Sequence, residues 1–204
     1  VVTNPLDVIT MVVLRETGFA LRKVMGMAGV LDGTRFRYFI GEELGVWPGD
    51  VNTMVLGGHG DSMVPLISAT SVGGIPLAQR LGPEAIERLV ERTRKGGAEI
   101  VNLLKSGSAY YAPGASVAKM VESVIKDERR LLAASAYLRG EYGSSGIFLG
   151  VPVLLGRQGI ERIVEVELTA AERAALAVSA RAGSDGIREL ESFWAPGRPR
   201  GIGA

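Results

Sequence analysis

The stretch from Gly57 to Pro65, Gly-Gly-His-Gly-Asp-Ser-Met-Val-Pro, constrains this chain more than any other. It follows the apolar run Met54-Val55-Leu56 and carries His59, the only histidine in 204 residues. A strand that ends in a glycine-flanked histidine displays the ring where backbone and ligand can both come close. With an unperturbed pKa of about 6.5, imidazole is also suited to proton transfer near neutral pH. A lone histidine can equally be a hydrogen-bonded structural residue, and this stretch alone leaves both readings open.

The surroundings exclude several chemistries. There is no cysteine, which removes disulfides, thiolate metal sites and Cys nucleophiles and fits a cytoplasmic protein. One histidine and no tight acidic cluster leave no metal site. Twenty-three Lys and Arg against 22 Asp and Glu give a net charge of +1, which argues against nucleic acid or an anionic membrane as main partner. No apolar run is long enough to span a bilayer. No GxSxG, P-loop or complete GxGxxG is present. At 47% hydrophobic residues the chain can build a packed interior.

Along the chain, Val1-Val2-Thr3 reads as the tail of a buried strand. Asn4 is a candidate N-cap and Pro5 a first helical residue, with the helix ending at Gly18. Val24 to Met27 reads as the next strand, so the first quarter resolves into strand, helix, strand, as at the end of a parallel α/β sheet. A second helix is expected over Leu31 to Leu44, and a strand over Asp50 to Leu56. Val64 to Ile67 and Thr70 to Val72 follow as short strands. From Pro83 a long amphipathic helix is expected, kinked at Gly96-Gly97 and broken by Gly107, with the charges of Glu87 to Lys95 on a solvated face. Tyr110 to Gly114 reads as a turn and Ala115 to Asp127 as a helix. Leu131 to Leu138, Phe148 to Leu155 and Ile160 to Leu168 read as antiparallel strands. Thr169-Ala170-Ala171-Glu172 fits a capping box for a last helix reaching about Glu191, interrupted near Gly183-Ser184. The Pro-, Gly- and Arg-rich tail from Ala195 reads as disordered.

Three features combine with His59. Asp32 and Arg35 lie three residues apart and share a helix face. Asn4 stands at a strand end, where open α/β sheets bind ligands. Separately, Asp32 and Arg35 could be a solvated pair contributing about 0.2–0.5 kcal/mol, and Asn4 only a cap. Together they fit one task. Arg35 could grip a substrate carboxylate, Asp32 could hold and stabilise the imidazolium, and His59 could exchange a proton with a hydroxyl or carbonyl. Those are the parts needed to interconvert a 2-hydroxy acid and a 2-keto acid, with the hydride going to a cofactor.

At this point Val2-Thr3-Asn4-Pro5-Leu6-Asp7, Gly29-Val30-Leu31-Asp32-Gly33-Thr34-Arg35-Phe36-Arg37 and Gly57 to Pro65 resemble the successive signatures of the lactate/malate dehydrogenase family, in that order. Tyr110 to Gly114 and Phe148 to Val153 resemble later family segments. The resemblance implies that His59 is the proton acceptor, Asp32 its partner, Arg35 the carboxylate grip and Asn4 a substrate contact. It places Val2, Thr3 and Asn4 along the nicotinamide end of NAD and Ala109 in the pocket wall. Gly58, Met63-Val64-Pro65 and the Tyr-Tyr-Ala-Pro run resemble the malate branch, with malate and oxaloacetate as substrates. A lactate enzyme is the alternative within the family, and a non-catalytic oligomerisation or binding module is the alternative outside it.

The implied architecture is α/β to α+β. Residues 1–27 would be the last strand-helix-strand of a Rossmann-type NAD domain, 28–192 an α+β substrate domain, and 193–204 a disordered tail. The missing GxGxxG and the absence of an initiator Met suggest a chain lacking an N-terminal part, expected to bind NAD poorly and to be inactive alone. The family further implies a cytoplasmic homodimer or homotetramer serving the tricarboxylic acid cycle. The helices over Leu31–Leu44 and Pro83–Leu104 are the expected contact surfaces.

Overall fold

Two long extended segments, β6 (Arg130–Arg139) and β7 (Ser145–Gly156), organise the computed structural model, which describes residues 1–193. They pair antiparallel from Arg130↔Leu155 to Arg139↔Ser145. From Ile147 through Val153 every residue of β7 is buried, as expected of a strand covered on both faces. β8 (Gly159–Ile163) pairs with β7 on one flank, while β2 (Val55–Gly57) joins β7 through Gly57↔Gly150. With β3 (Met63–Pro65) beside β2, this makes a five-stranded sheet; β1 (Val51–Asn52), β4 (Ser71–Val72) and β5 (Ile75–Pro76) form a separate three-stranded one.

Helices α1 (Leu6–Thr17), α4 (Tyr111–Ile125) and α5 (Ala170–Phe193) pack on β7, and α2 (Gly29–Leu44) packs on β6 and β2. α2 bridges two apolar clusters: Val30 and Leu31 belong to the one around β6 and β7, and Phe36, Phe39 and Ile40 to a second one with Val51, Val55 and Leu77. Phe36 and Ile40 are completely buried, and each such side chain contributes roughly 1.5–3 kcal/mol. α3 (Pro83–Leu104) lies along α2.

Several expectations are met closely. α1 ends at Gly18, which is left-handed at φ 62°. The capping box forms: Glu172 accepts from the Thr169 amide at 3.0 Å, and the Glu172 amide donates to Thr169 Oγ1 at 3.2 Å. Other expectations need correction. Asn4 does not cap α1; Pro5 is the extended N-cap residue, and the helix starts at Leu6 with no side-chain cap. The strands expected at Val1–Thr3 and Val24–Met27 shrink to a single rung, in which the Val1 amine donates to Met25 O at 2.8 Å and Met27 N donates to Val1 O at 2.9 Å. That hydrogen-bond pattern is parallel, with Val1 facing Gly26. Gly26 also bridges antiparallel to Ser135.

The strand expected over Asp50–Leu56 is split, because Thr53 and Met54 separate two segments that join different sheets. α3 is continuous through Gly96-Gly97 and ends at left-handed Lys105, before Gly107. α4 begins at Tyr111, so Pro113 lies in its first turn, where a missing N–H costs little. β8 stops at Ile163, and α5 runs through Gly183-Ser184 without a break. The tail expectation, from Ala195 on, lies outside the described residues. No helix among the described residues is long and apolar enough to cross a membrane.

Candidate functional site

Asp32 and His59 are 27 residues apart in sequence, yet close packing at the start of α2 brings them together. A Cβ on Gly29 would lie 2.2 Å from the Val55 carbonyl oxygen, so only glycine lets α2 approach β2 this closely. One helical turn past Gly29 comes Asp32, and just past β2 comes His59. At the strand end, left-handed Gly57 (φ 81°) turns the backbone out of β2. The Gly58 amide then donates to Ser179 Oγ on α5 at 2.8 Å, which pins the peptide before the imidazole.

His59 Nδ1 and Asp32 Oδ2 are 2.8 Å apart. A carboxylate can only accept, so Nδ1 carries the proton and Nε2 is the basic nitrogen. Asp32 is 1% exposed, and Arg35 Nη1 lies 3.7 Å from its other oxygen, an ion pair too long for a hydrogen bond. Asp32 Oδ1 and Arg35 Nε are buried without any hydrogen-bond partner. Burial lowers the Arg35 pKa and the Asp32 charge opposes that; a guanidinium stays protonated regardless.

The cavity at this cluster measures about 620 Å³. Val2, Thr3, Asn4, Arg35 and His59 line it, as does Ala109, so the residues singled out from sequence converge on one space, with Asp32 buried behind the imidazole. An imidazole with a free basic nitrogen, an oriented carboxylate behind it and a guanidinium beside it can bind a carboxylate and move a proton at an adjacent carbon–oxygen group. A further cavity of about 440 Å³, between Val1, Met25, Val117 and Ile125, is lined mostly by aliphatic side chains and holds no paired acid and base. Among the described residues no three His, Asp or Glu side chains converge as a metal site would require.

Sequence reasoning missed four contributors. Asp7, also buried, accepts a hydrogen bond from Ser135 Oγ and lines with His59 a second cavity of about 520 Å³. Burial pushes its carboxyl up to about 6, against the opposing effects of Ser135 and His59. Ser179 anchors Gly58; its only trace in the sequence is an inward position among Leu176, Ala180 and Ile187. Gly96 and Gly97 make room for Arg35, since a Cβ on Gly96 would meet Arg35 Cδ at 3.2 Å. Finally, the charges of α3 are not all solvated: Arg92 reaches across to Glu42 of α2 at 2.6 Å and stacks on Phe39, and Arg94 faces the 620 Å³ cavity.

The chain is similar in sequence and fold to known proteins. The model of the lactate/malate dehydrogenase alpha/beta C-terminal domain matches residues 29–193. A malate dehydrogenase of Geobacillus sp. (strain WCH70) is 55% identical over 191 residues, 94% of this chain and 61% of that protein. One from Chlorobium phaeobacteroides is 53% identical over 95% of this chain and 63% of its own length. The solved structure of malate dehydrogenase from Salinibacter ruber superposes with a TM-score of 0.91 at 50% identity, over 93% of this chain and 62% of that one. A lactate dehydrogenase from Cryptosporidium parvum, solved with lactic acid and NAD, superposes with a TM-score of 0.91 at 41% identity, over 96% of this chain and 62% of that one. The chain therefore spans less than two thirds of the length of these relatives.

Proposed function

This chain belongs to the lactate/malate dehydrogenase family, and from that premise we propose that it forms the substrate-binding part of an NAD-dependent malate dehydrogenase, interconverting (S)-malate and oxaloacetate. The observation that carries the reading is the cluster of Asp32, His59 and Arg35 around one cavity, with His59 Nε2 left basic by the 2.8 Å bond at Nδ1.

In malate oxidation Arg35 takes the carboxylate beside the reacting carbon. His59 Nε2 accepts the hydroxyl proton, and the resulting imidazolium is stabilised by Asp32 at 2.8 Å. Bound NAD supplies the hydride acceptor when C2 becomes a carbonyl. The residues present fit the nicotinamide end of that cofactor. Val2, Met27 and Pro113 give the cavity an apolar wall beside His59, and Thr3 and Asn4 add polar groups. A GxGxxG phosphate cradle is not among the 204 residues, so we expect the chain by itself to give no malate-dependent NADH.

We further assign the protein to the cytoplasm and to a homodimer or homotetramer, with α2 and α3 as contact surfaces. Exposed Tyr38 on α2 and Trp47 just after it support that assignment, and sedimentation of the complete enzyme tests it. Lactate oxidation is the second reading, favoured by the superposition on a lactate dehydrogenase.

The test uses the complete polypeptide that carries these residues. Oxaloacetate should be reduced with a kcat/KM well above that for pyruvate. His59→Asn should lower kcat by several orders of magnitude, on the order of 10³ or more. Preference for pyruvate selects the lactate reading. Near-normal activity of His59→Asn removes the role given to His59, and no turnover of either substrate by the wild type favours a non-catalytic module.

A further inference from the structure

His59 lines two cavities. One is the 620 Å³ space shared with Arg35; the other, of about 520 Å³, is shared with Asp7 on α1 and with Ser179 and Glu189 on α5. Asp7 is 8% exposed and takes one hydrogen bond, from Ser135 Oγ to its Oδ1. Its other oxygen lies against the residue that precedes the imidazole: a Cβ on Gly58 would stand 3.4 Å from Oδ2. The charged groups that face His59 from the surrounding elements differ in how well they are screened. Asp32 and Arg35 of α2 are opposite charges 3.7 Å apart and partly offset each other. Arg94 of α3 is half-buried, while Asp61 beside His59 and Glu189 of α5 are exposed, where water and salt screen them. β6 adds the Ser135 hydroxyl. Asp7 is buried and forms no ion pair among the described residues, so its charge is felt at the imidazole with little local offset. Burial raises the Asp7 pKa to about 6, and the Ser135 hydrogen bond and the His59 charge oppose that rise. The attraction is mutual: whatever a protonated His59 does for the Asp7 carboxylate, the carboxylate does for the imidazolium.

We propose that Asp7 is a positioning residue for the proton transfer, a second carboxylate that acts on His59 through space from the 520 Å³ cavity and strengthens Nε2 as a base. The inference rests on the functional reading above and adds to the carboxylate already bonded at Nδ1. Asp32 fixes the tautomer and the ring orientation by a direct hydrogen bond. Asp7 makes no bond to the ring and contributes its charge alone. When ionised it favours the imidazolium that malate oxidation forms; when protonated it does not. Because Asp7 changes state near pH 6, the strength of His59 as a base follows a second group as well as its own titration. Ser135 takes part indirectly, since its hydroxyl donates to Oδ1 and favours the ionised form.

The test is the pH dependence of kcat/KM in both directions for the complete enzyme and its Asp7→Asn and Ser135→Ala variants. Asp7→Asn removes the charge and keeps the volume and an acceptor for Ser135. Malate oxidation needs neutral His59 and oxaloacetate reduction needs the imidazolium. The acid limb of the first profile and the alkaline limb of the second should therefore both move to lower pH in Asp7→Asn, by about half a unit to one unit. Ser135→Ala should move them the same way by less. In histidine-labelled enzyme, the pH midpoint of the His59 ring signals, identified by their loss in His59→Asn, should move in the same direction. Reduced rates with unmoved limbs and an unmoved midpoint make Asp7 purely structural; they overturn the inference and leave the functional reading standing. A wild type that turns over neither malate nor oxaloacetate overturns the functional reading and this inference together. Should Asp7→Asn fail to fold, Ser135→Ala decides: limbs and midpoint moved to lower pH support the inference, and unmoved ones overturn it.

Discussion

Two buried carboxylates in this molecule are used in opposite ways. Glu172, at the start of α5, accepts the Thr169 amide and hydroxyl at 3.0 and 2.9 Å, and the Ser68 amide and hydroxyl at 3.1 and 2.9 Å. Asp32 makes one hydrogen bond, to His59, and its other oxygen faces Arg35 without bonding it. Burial alone would raise the Glu172 pKa, but its four donors more than offset this and lower it. A carboxylate whose acceptors are all filled fixes a loop to a helix. One that keeps an acceptor free, between an imidazole and a guanidinium, can respond when a ligand changes the charge nearby.

If that contrast holds, substitutions at the two carboxylates should separate activity from stability. The largest effect is expected for Asp32→Asn in the complete enzyme. The amide favours the wrong imidazole tautomer, and kcat should fall about 10³- to 10⁴-fold with the melting temperature little changed. A fall of less than ten-fold would break the comparison at its catalytic end.

Glu172→Ala should do the reverse. Losing the cap and the tie to the exposed Ser68 should cost about 1–2 kcal/mol, while kcat below the unfolding transition stays within about two-fold. Thermal unfolding and initial rates measure the two arms. The sign with pH is definite. Because the folded pKa of Glu172 is lowered, its contribution is full above the unfolded value and fades as pH falls through the folded one. The gap between wild type and variant should therefore narrow in acid.

Asp7 supplies a third case with the opposite sign. Its folded pKa, about 6, lies above the ordinary 3.8, so the folded state holds the proton longer than the unfolded state does. Stability falls as pH rises from about 4 to about 6, and the penalty is complete above that. Asp7→Asn should flatten this slope and gain on the order of 2 kcal/mol at pH 7, read from melting temperatures between pH 4.5 and 7.5. An unchanged slope would remove Asp7 as its source. The smallest expected effect is Gly97→Ala. Its Cβ would meet Arg35 Nη1 at an ordinary 3.7 Å, and a mid-helix alanine should add about 0.5–1 kcal/mol. Gly96→Ala, crowding Arg35 Cδ at 3.2 Å, should instead raise the substrate KM several-fold. If the two variants behave alike, these glycines are not there for Arg35.

The same contrast explains what could be read in advance. Thr169 and Glu172 are three residues apart, so their reciprocal bonds follow from local spacing. Asp32 and His59 are linked across 27 residues; residue types suggested the pair, but only the order of family signatures tied it together. Ser68 and Glu172 are 104 residues apart, and Ser179 and Gly58 are 121 apart, with nothing local to announce either contact. Most charges from Glu87 to Lys95 do face solvent, and helical spacing could not show that partly exposed Arg94 also borders the cavity. Asn4 was misread as a cap because its type fits one, whereas the helix begins two residues later at Leu6.

By itself the sequence determined roughly where the long helices and the β6–β7 pair would lie, since apolar period, glycine stops and the capping box act over a few residues. It also determined which residue types could move a proton and hold a carboxylate. Tertiary structure alone decided which oxygen of Asp32 meets His59, that Asp7 is buried near the same imidazole, and that Arg94 borders the cavity. Those outcomes depend on how closely α2, α3 and α5 approach the sheet. That distance is set where residues such as Gly29 and Gly96, lacking a Cβ, let partners far away in sequence come close.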